Sequence, residues 1–439
     1  MLHILDWFLF LWISIFVSCR ISFLVRKKKV FNMLDWAAIG VFLFYILPYF
    51  LGRFGMFDFK YNPNDDLILF KGILIILIFL LLTCIGYYSS ERSIQLVCNN
   101  FSKVSINMRV IKIGILISVA IIMFLVIKML AQIGLSNITN NYILRQQLSK
   151  FGFFVIFLQL PLGLSAYSWA KFIQRKSTKV LFLALTFTIC AAVIAFIRGQ
   201  RTDLILIFLI PLIALYAYRK SIKPLVIGVL FSMIFAIVYA INFKSSYLIG
   251  GVDSFKEGIF SFFRGDIDRN WTLWLAIENT GFASTEILPF YGSGYIYTLF
   301  AYIPRSIATF KGYSAESWFT FLLSSQVGDN AGVVDISQLS WGYAFGGIVE
   351  GIVNFGVVGV IFVGYFYGVL IRLLNEISKG GIHLYAVAAI ICIDLAGYGA
   401  FTILVVQLPI LITVMILNHK KKVYGVNILN EKGVSSYHG

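Results

Sequence analysis

The sequence predicts an all-α, polytopic helical membrane protein with about 11 (10–12) transmembrane helices and one large extracytoplasmic loop. Of its 439 residues, 59% are hydrophobic and 13% are charged, and the mean hydropathy is +0.88. Soluble domains do not have this composition. The apolar residues form continuous runs of Ile, Leu, Phe and Val, whereas a β-barrel would show short segments of alternating polarity.

The apolar runs divide the chain into four parts. Runs near 2–19, 34–51, 67–88, 113–131, 151–170, 180–197, 204–218 and 224–241 predict transmembrane helices 1–8 within residues 1–241. Residues 242–345 mix charges with aromatic residues and predict an extracytoplasmic loop with amphipathic or re-entrant helices. Runs near 346–370, 384–399 and 401–417 predict helices 9–11, and residues 418–439 form a polar tail.

The basic residues predict the orientation of the chain. Alternate connections hold most of the 36 Lys and Arg residues and few acids, so these connections are expected to be cytoplasmic. The N-terminus and the long loop then lie outside, and the C-terminal tail lies inside. The net charge of +16 is therefore a topology signal, and no nucleic-acid partner is expected.

The cysteine and histidine content argues against disulfide and metal chemistry. The five Cys lie mostly within apolar runs without paired or metal-ligand spacing, and there are four His without a His/Cys cluster. Buried small side chains are the simpler interpretation of these cysteines. We expect no metal site and no cofactor.

Five cationic side chains are candidates to bind phosphate, because guanidinium and ammonium groups match phosphate oxygens. They are Arg198 and Arg201 in a tight outer turn, Arg269 within the loop, Arg305 at the end of an aromatic stretch at 295–305, and Lys311 shortly after it. Two alternatives stay open. Arg201 could pair with Asp203 in a solvated turn, and Arg305 and Lys311 could simply anchor a surface helix.

Three acidic residues are candidates for a general base. Asp266 and Asp268 lie close together in the loop, so one carboxyl could raise the pKa of the other. Ion pairs with Arg264 and Arg269 are the alternative. Glu350 lies in an apolar run with Asn354 at i+4 on the same helix face, where an ionised group is costly and therefore a functional candidate. Apolar residues on either side of 264–270 favour amphipathic helices on the membrane surface.

Several of these pieces together resemble the bacterial oligosaccharide repeat-unit polymerases, which are the O-antigen polymerases of the Wzy type. The pieces are Arg198-Gly-Gln-Arg201, Gly294-Tyr295, Ile303-Pro304-Arg305 with Lys311, and Glu350-x-x-x-Asn354-Phe355-Gly356-x-x-Gly359-Val360 leading to Gly368. The resemblance covers most of the chain. The Arg-x10-Gly pattern of some members is absent in strict form, since Gly281 follows Arg269 one residue too late.

The resemblance implies transfer of a growing glycan, as a block, from undecaprenyl pyrophosphate to a new lipid-linked repeat unit. It implies a metal-independent glycosyltransferase in the bacterial inner membrane that makes O-antigen or capsular polysaccharide. Arg198, Arg201, Arg269, Arg305 and Lys311 would bind the pyrophosphate, and Asp266, Asp268 or Glu350 would accept the proton. Membrane lipid, a chain-length regulator and a flippase are the other expected partners.

Other functions remain as alternatives. An O-antigen ligase or another lipid-linked-sugar glycosyltransferase would use similar outer-face chemistry, and the latter class carries an acidic pair in its first outer loop, where this chain has Asp65-Asp66. That pair also fits a turn and a helix cap. A flippase or transporter would favour charges on midplane helices and two similar halves, features that this sequence does not present.

Overall fold

The computed structural model describes most of the chain. The described residues are 29–63, 65–101, 108–133, 157–198, 201–239, 263–282, 287–303, 307–328 and 342–418, with Leu11, Ile15, Arg20, Ser22, Lys27, Asp335, Ile336 and Leu339. All regular secondary structure in these residues is helical, as the composition predicts. The polar tail at 419–439 and Arg305 lie outside the described residues.

The first part of the chain forms eight helices in the described residues. They are α1 (Met33–Arg53), α2 (Asp66–Ser89), α3 (Glu91–Phe101), α4 (Met108–Ile133), α5 (Leu160–Arg175), α6 (Thr178–Arg198), α7 (Arg201–Arg219) and α8 (Lys223–Tyr239). Asn32 and Asp35 form a capping box at the start of α1. Asp65 caps α2 by accepting the N–H of Leu67 at 2.8 Å, so the acidic pair at 65–66 includes a helix cap.

Short helices occupy the predicted loop. They are α9 (Asn270–Glu278), α10 (Ser293–Leu299) and α11 (Ala315–Leu323), and a π-helical turn, Phe263–Ile267, precedes α9. The prediction that this sequence lies on the membrane surface is wrong for α9. Its residues from Asn270 to Ile277 are buried, and it packs against α2. Residues on all sides of α9 are buried, so the helix has no polar face exposed to water.

The last part of the chain forms the centre of the bundle. It contains α12 (Gly347–Phe355), α13 (Gly359–Ser378), α14 (Ile382–Gly397) and α15 (Leu408–Asn418), and a helical turn (Ala400–Thr402) and a π-helical turn (Ile403–Gln407) precede α15. In this region α13 packs along α2, and α14 packs along α1. Buried residues of these helices form one core that extends to α7, α9 and α12.

The apolar run at 346–370 is not the single helix that the sequence predicts. Gly356 has φ +69° and ends α12, a conformation that glycine adopts without strain. The chain then reverses, so that α12 lies against the start of α13. A Cβ on Gly359 would meet the carbonyl oxygen of Gly351 at 2.0 Å, which shows how closely the two backbones approach.

Five described helices are long and apolar enough to cross a membrane. They are Met33–Arg53, Asp66–Ser89, Ile111–Lys128, Thr178–Phe196 and Gly359–Ser378, and the apolar helices Ile205–Arg219, Ile382–Gly397 and Ile403–Asn418 are shorter. The protein is therefore a multi-pass helical membrane protein. The count of about 11 spans and the limits of the outer loop stay predictions.

Candidate active site

Four interruptions of helical structure meet in the interior of the bundle. They are the π-helical turn Phe42–Ile46 in α1, residues 268–269 before α9, Gly346 before α12, and residues 397–399 after α14. Backbone groups that a regular helix would use internally become available at such breaks. Polar side chains converge on the same place.

The π-helical turn of α1 anchors the loop segment that precedes α9. The backbone N–H of Arg269 donates to the carbonyl oxygen of Phe44 at 3.0 Å, and Asn270 Nδ2 donates to the carbonyl oxygen of Tyr45 at 2.8 Å. Phe44 lies about halfway along the 21-residue helix α1. The segment before α9 therefore contacts the middle of α1.

The Arg269 side chain joins this segment to the end of α14. Its Nε donates to the carbonyl oxygen of Gly397 at 2.8 Å, and its Nη1 donates to the carbonyl oxygen of Asp268 at 3.2 Å. The guanidinium lies 5.5 Å from the ring centroid of Phe44 and 5.4 Å from that of Tyr398. The residue is 2% exposed and forms no ion pair with a carboxylate of a described residue. Two of the five N–H donors of a guanidinium are thus used on carbonyl oxygens.

Glu350 enters the site from the first turn of α12. It is 3% exposed, and its Oε2 accepts the backbone N–H of Ala400 at 2.6 Å. Ala400 begins the helical turn after the break at 397–399, so the carboxylate lies at a helix N-terminus, where negative charge is stabilised. A Cβ on Gly346, just before α12, would lie 1.6 Å from the carbonyl oxygen of Ala396. Glycine is therefore required for this approach of α12 to α14.

Glu316 enters the same site from the first turn of α11. Ser314 caps that helix, because its hydroxyl accepts the N–H of Ser317 at 3.1 Å. A Cβ on Gly399 would lie 3.2 Å from Glu350 Oε2 and 3.5 Å from Glu316 Oε1, so the two carboxyls border one small space. Burial, and then the negative charge of Glu350, raise the pKa of Glu316 to about 8, against the lowering effect of Arg269.

Asp268 is a third acidic group, and it is fully buried. Its Oδ1 accepts hydrogen bonds from the backbone N–H and from Nδ2 of Asn270, both at 2.9 Å, while Oδ2 has no partner in the described part of the protein. Burial raises the pKa of Asp268 to about 7, although the bonds from Asn270 and the charge of Arg269 lower it. The side chains of Asp268 and Arg269 do not form the ion pair that the sequence left open as an alternative.

Buried hydroxyl groups surround the start of α12. The hydroxyls of Tyr45 and Tyr367 have no hydrogen-bond partner among the described residues. The Tyr45 hydroxyl lies 2.8 Å from the point that a Cβ on Gly346 would occupy. The Tyr367 hydroxyl lies 2.4 Å from the point that a Cβ on Gly347 would occupy. Because buried polar groups are normally hydrogen-bonded, this region is suited to a polar ligand.

An apolar cavity of about 540 Å³ lies next to this region, between α1, α2, α13 and α14. Tyr367 and Ala396, which contact the start of α12, line one part of the cavity. Asn32 and the ion pair of Arg20 with Asp35 (3.0 Å) line another. The side chains of α1 and α2 that border the cavity are mostly Leu, Ile and Ala.

The other predicted site residues lie elsewhere or outside the described side chains. The Lys311 ammonium is buried and donates to the carbonyl oxygens of Phe300 (3.3 Å), Ala301 (3.5 Å) and Ile303 (2.5 Å) after α10. Asn354 donates to the carbonyl oxygen of Glu350 and accepts the N–H of Gly294, so it joins α12 to α10. Arg198 ends α6 and Arg201 begins α7, and Asp266 lies in the turn before α9. The side chains of these three residues are outside the described set.

Comparison with known families identifies the chain. A family model for O-antigen polysaccharide polymerase Wzy matches residues 4–422. The chain belongs to this family. No curated protein and no solved structure matches it. The protein is therefore a multi-pass membrane protein of polysaccharide biosynthesis, and its family is a glycosyltransferase-type polymerase that acts on lipid-linked glycans.

The sequence prediction for the O-antigen polymerase named Arg269, Asp268 and Glu350, and the structure brings them into one region. It missed Glu316, because nothing in the spacing relates this residue to Glu350. One signal was present: Glu316 is the single charged residue of the nine in α11, Ala315–Leu323. An acidic side chain in so apolar a helix is a functional candidate. The assigned roles of these residues stay predictions.

Proposed function

We propose that this protein transfers the growing glycan, as a block, from undecaprenyl pyrophosphate to a second lipid-linked repeat unit. A hydroxyl at the non-reducing end of the acceptor attacks the anomeric carbon of the donor. The new O–C bond forms as the bond from that carbon to the pyrophosphate oxygen breaks, and the leaving electron pair goes to the lipid pyrophosphate. The observation that carries the proposal is the convergence of Arg269 with Asp268, Glu350 and Glu316 at four helix breaks.

Cationic side chains stabilise the leaving group in this reaction. Arg269 is the best supported, because its planar fork is held rigidly by Gly397 and Asp268 and it has donors left for phosphate oxygens. Preorganised positive charge acts most strongly where water is excluded. We assign Arg198, Arg201, Arg305 and Lys311 to the pyrophosphate as well, from the family resemblance. With this set of cations the proposal uses no divalent ion.

A carboxylate takes the proton of the acceptor hydroxyl. Asp266, Asp268 and Glu350 are the groups that the sequence nominates for this step. A general base works best when its pKa is near the working pH, and the raised pKa of Asp268, about 7, satisfies this condition. Asn354 supports the step indirectly, because it holds α12 against α10.

The polyprenyl tail of the donor lies in the apolar cavity between α1 and α2. The cavity extends along α1 from Asn32 to Ile46, a length of roughly 20 Å, which is most of the hydrocarbon thickness of a bilayer. Its volume is in the range of small-molecule sites. Contact with Tyr367 and Ala396 brings it to the start of α12, so a lipid bound there would present its pyrophosphate near Arg269.

The reaction takes place on the outer face of the bacterial inner membrane. The charge distribution supports an N-terminus outside and a C-terminus in the cytoplasm. In this arrangement residues 242–345 face the compartment in which the glycan grows. A flippase would supply the repeat units, and a chain-length regulator would act on the product.

Two experiments test the proposal. In a deletion strain, one repeat unit on the acceptor supports polymerisation, whereas lipid-linked polymer without surface glycan would point to a ligase, and units retained inside would point to a flippase. In vitro, the purified protein in lipid vesicles receives the lipid-linked repeat unit without a divalent ion. A ladder of longer lipid-linked glycans is the expected product, and its absence would contradict the proposal.

A further inference from the structure

Glu316 differs from Glu350 in ways that suit it to contact a substrate. Glu350 is almost fully buried and is committed to the N–H of Ala400. Glu316 is half-buried. The side-chain hydrogen bond found at this residue in the described part of the chain goes from the Thr320 hydroxyl to the Glu316 backbone carbonyl, and not to its carboxyl. Of the two carboxyls, that of Glu316 is therefore the one not committed to another group of the protein.

Gly399 leaves the space between the two carboxyls open. Both carboxyls lie within 3.5 Å of the point that a Cβ on this residue would occupy. Gly399 has φ −73° and ψ 171°, a conformation open to any residue, so its backbone does not require glycine. Glycine is needed here because a Cβ would fill the space between the two carboxyls. That space is suited to a hydroxyl group held between two carboxyl oxygens.

We propose that Glu316 is the general base that accepts the proton of the acceptor hydroxyl, and that Glu350 is a positioning residue for it. The inference rests on the proposed polymerase reaction and selects a residue that the sequence did not nominate. The acceptor O–H proton moves to the Glu316 carboxylate as the acceptor oxygen bonds to the anomeric carbon. The lipid pyrophosphate departs with the electron pair, next to Arg269.

The charges around Glu316 tune it for this step. Glu350 on α12 and Arg269 before α9 are the charged groups that act on it, whereas α10, which also packs on α11, carries no Asp, Glu, Lys, Arg or His. The net effect of burial and of these charges is a pKa of about 8. A base with that pKa is ionised as the pH rises through 8, so the polymerisation rate should rise over the same range.

The test compares Glu316→Gln, Glu316→Asp and Glu350→Gln in purified protein in vesicles. Glu316→Gln should lower the polymerisation rate by about 10²–10⁴ and leave the affinity for undecaprenyl pyrophosphate unchanged, which also shows that the protein is folded. Glu316→Asp should restore part of the rate. Glu350→Gln should retain measurable activity, with the rising limb of the pH–rate profile moved to lower pH because a neighbouring negative charge is removed.

The outcomes separate this inference from the proposed function. If the wild-type protein makes no polymer, the proposed function fails. If the wild type polymerises and Glu316→Gln polymerises equally well, Glu316 is not the base. Loss of all activity in Glu350→Gln with a normal rate in Glu316→Gln would assign the base to Glu350. If the rising limb of the pH–rate profile lies at the same pH in Glu350→Gln and in the wild type, the proposed coupling between the two carboxyls is wrong.

Discussion

Arg269 Nε donates to the carbonyl oxygen of Gly397 at 2.8 Å, across 128 residues of sequence. This bond fixes the loop segment before α9 to the end of α14. It also holds the guanidinium next to the rings of Phe44 and Tyr398, where its positive charge acts on Glu316. The geometry of the cationic centre therefore depends on two breaks in helical structure.

Replacement of Arg269 should abolish polymer formation. Arg269→Ala removes the donor to Gly397 and the positive charge, and Arg269→Lys keeps the charge but loses the planar fork. We expect the rate to fall by about 10²–10³ in Arg269→Lys, and Arg269→Ala also to lower the unfolding free energy by about 1–3 kcal/mol. Polymer length on gels and protein level in membranes give the two readouts. Arg264→Ala, at an exposed position in the preceding turn, is the matched control and should behave as wild type.

Two glycines near the site should respond differently to alanine. Gly399→Ala places a methyl group 3.2–3.5 Å from the two carboxyls, so we expect folded protein with a rate lowered by about 100-fold, because small displacements of reacting groups cost rate. Gly346→Ala places a methyl group 1.6 Å from a backbone carbonyl oxygen, so we expect loss of folded protein. Membrane level and polymer yield, measured for both variants, distinguish the effects. Equal activity per folded molecule in Gly399→Ala and wild type would count against the two-carboxyl site.

The contact between α2 and α13 should depend on small residues. A Cβ on Gly368 would lie 2.2 Å from the carbonyl oxygen of Thr83, and one on Gly86 would lie 2.1 Å from that of Tyr365. Such close approach of backbones is typical of small residues between membrane helices. Gly368→Ala should cost about 1–3 kcal/mol of stability, seen as a lower melting temperature in detergent. Gly114→Ala, where no heavy atom lies within 4 Å, should show no loss.

Filling the apolar cavity should weaken recognition of the lipid tail. Ala38 on α1 and Leu80 on α2 both line it, and Ala38→Trp or Leu80→Trp would occupy its space. We expect about tenfold weaker binding of a donor with an undecaprenyl tail, equivalent to ~1.4 kcal/mol, and little change for a donor with a short prenyl tail. The control is Ile85→Trp, at an exposed position of α2. If all three variants discriminate tail length as the wild type does, the tail lies elsewhere.

Asp268 should make the protein less stable as the pH rises. Its pKa is about 7 in the folded state and 3.8 without burial, so between these values the unfolded state binds fewer protons than the folded state. Stability therefore falls as the pH rises from about 4 to about 7. Asp268→Asn removes this dependence and should raise the melting temperature at pH 8 relative to wild type, and have a smaller effect at pH 5. A wild-type melting temperature that rises with pH over this range, and that does not rise more steeply in Asp268→Asn, would contradict the assignment.

The sequence predicted the class of the protein and part of the site. Glu350 was nominated because an ionised group is costly in an apolar run, Asp268 because it is close to Asp266, and Arg269 because a guanidinium can bind phosphate. These three residues lie together. Lys311, like Arg269, was nominated as a cation that could bind phosphate, and its ammonium donates to three carbonyl oxygens after α10. Local charge and hydropathy do not distinguish these two environments. Glu316 was missed because its relation to Glu350 exists only across the gap at Gly399.

The sequence by itself determined that the chain forms apolar helices in a membrane, because the free energy of burying such a run is a sum over its own residues. The tertiary structure decided where those helices break and what meets at the breaks. The turn at Gly356, the approach of Gly346 to α14 and the bond from Arg269 to Gly397 each depend on backbone contacts between separate segments. Such contacts leave no periodic pattern in a single sequence.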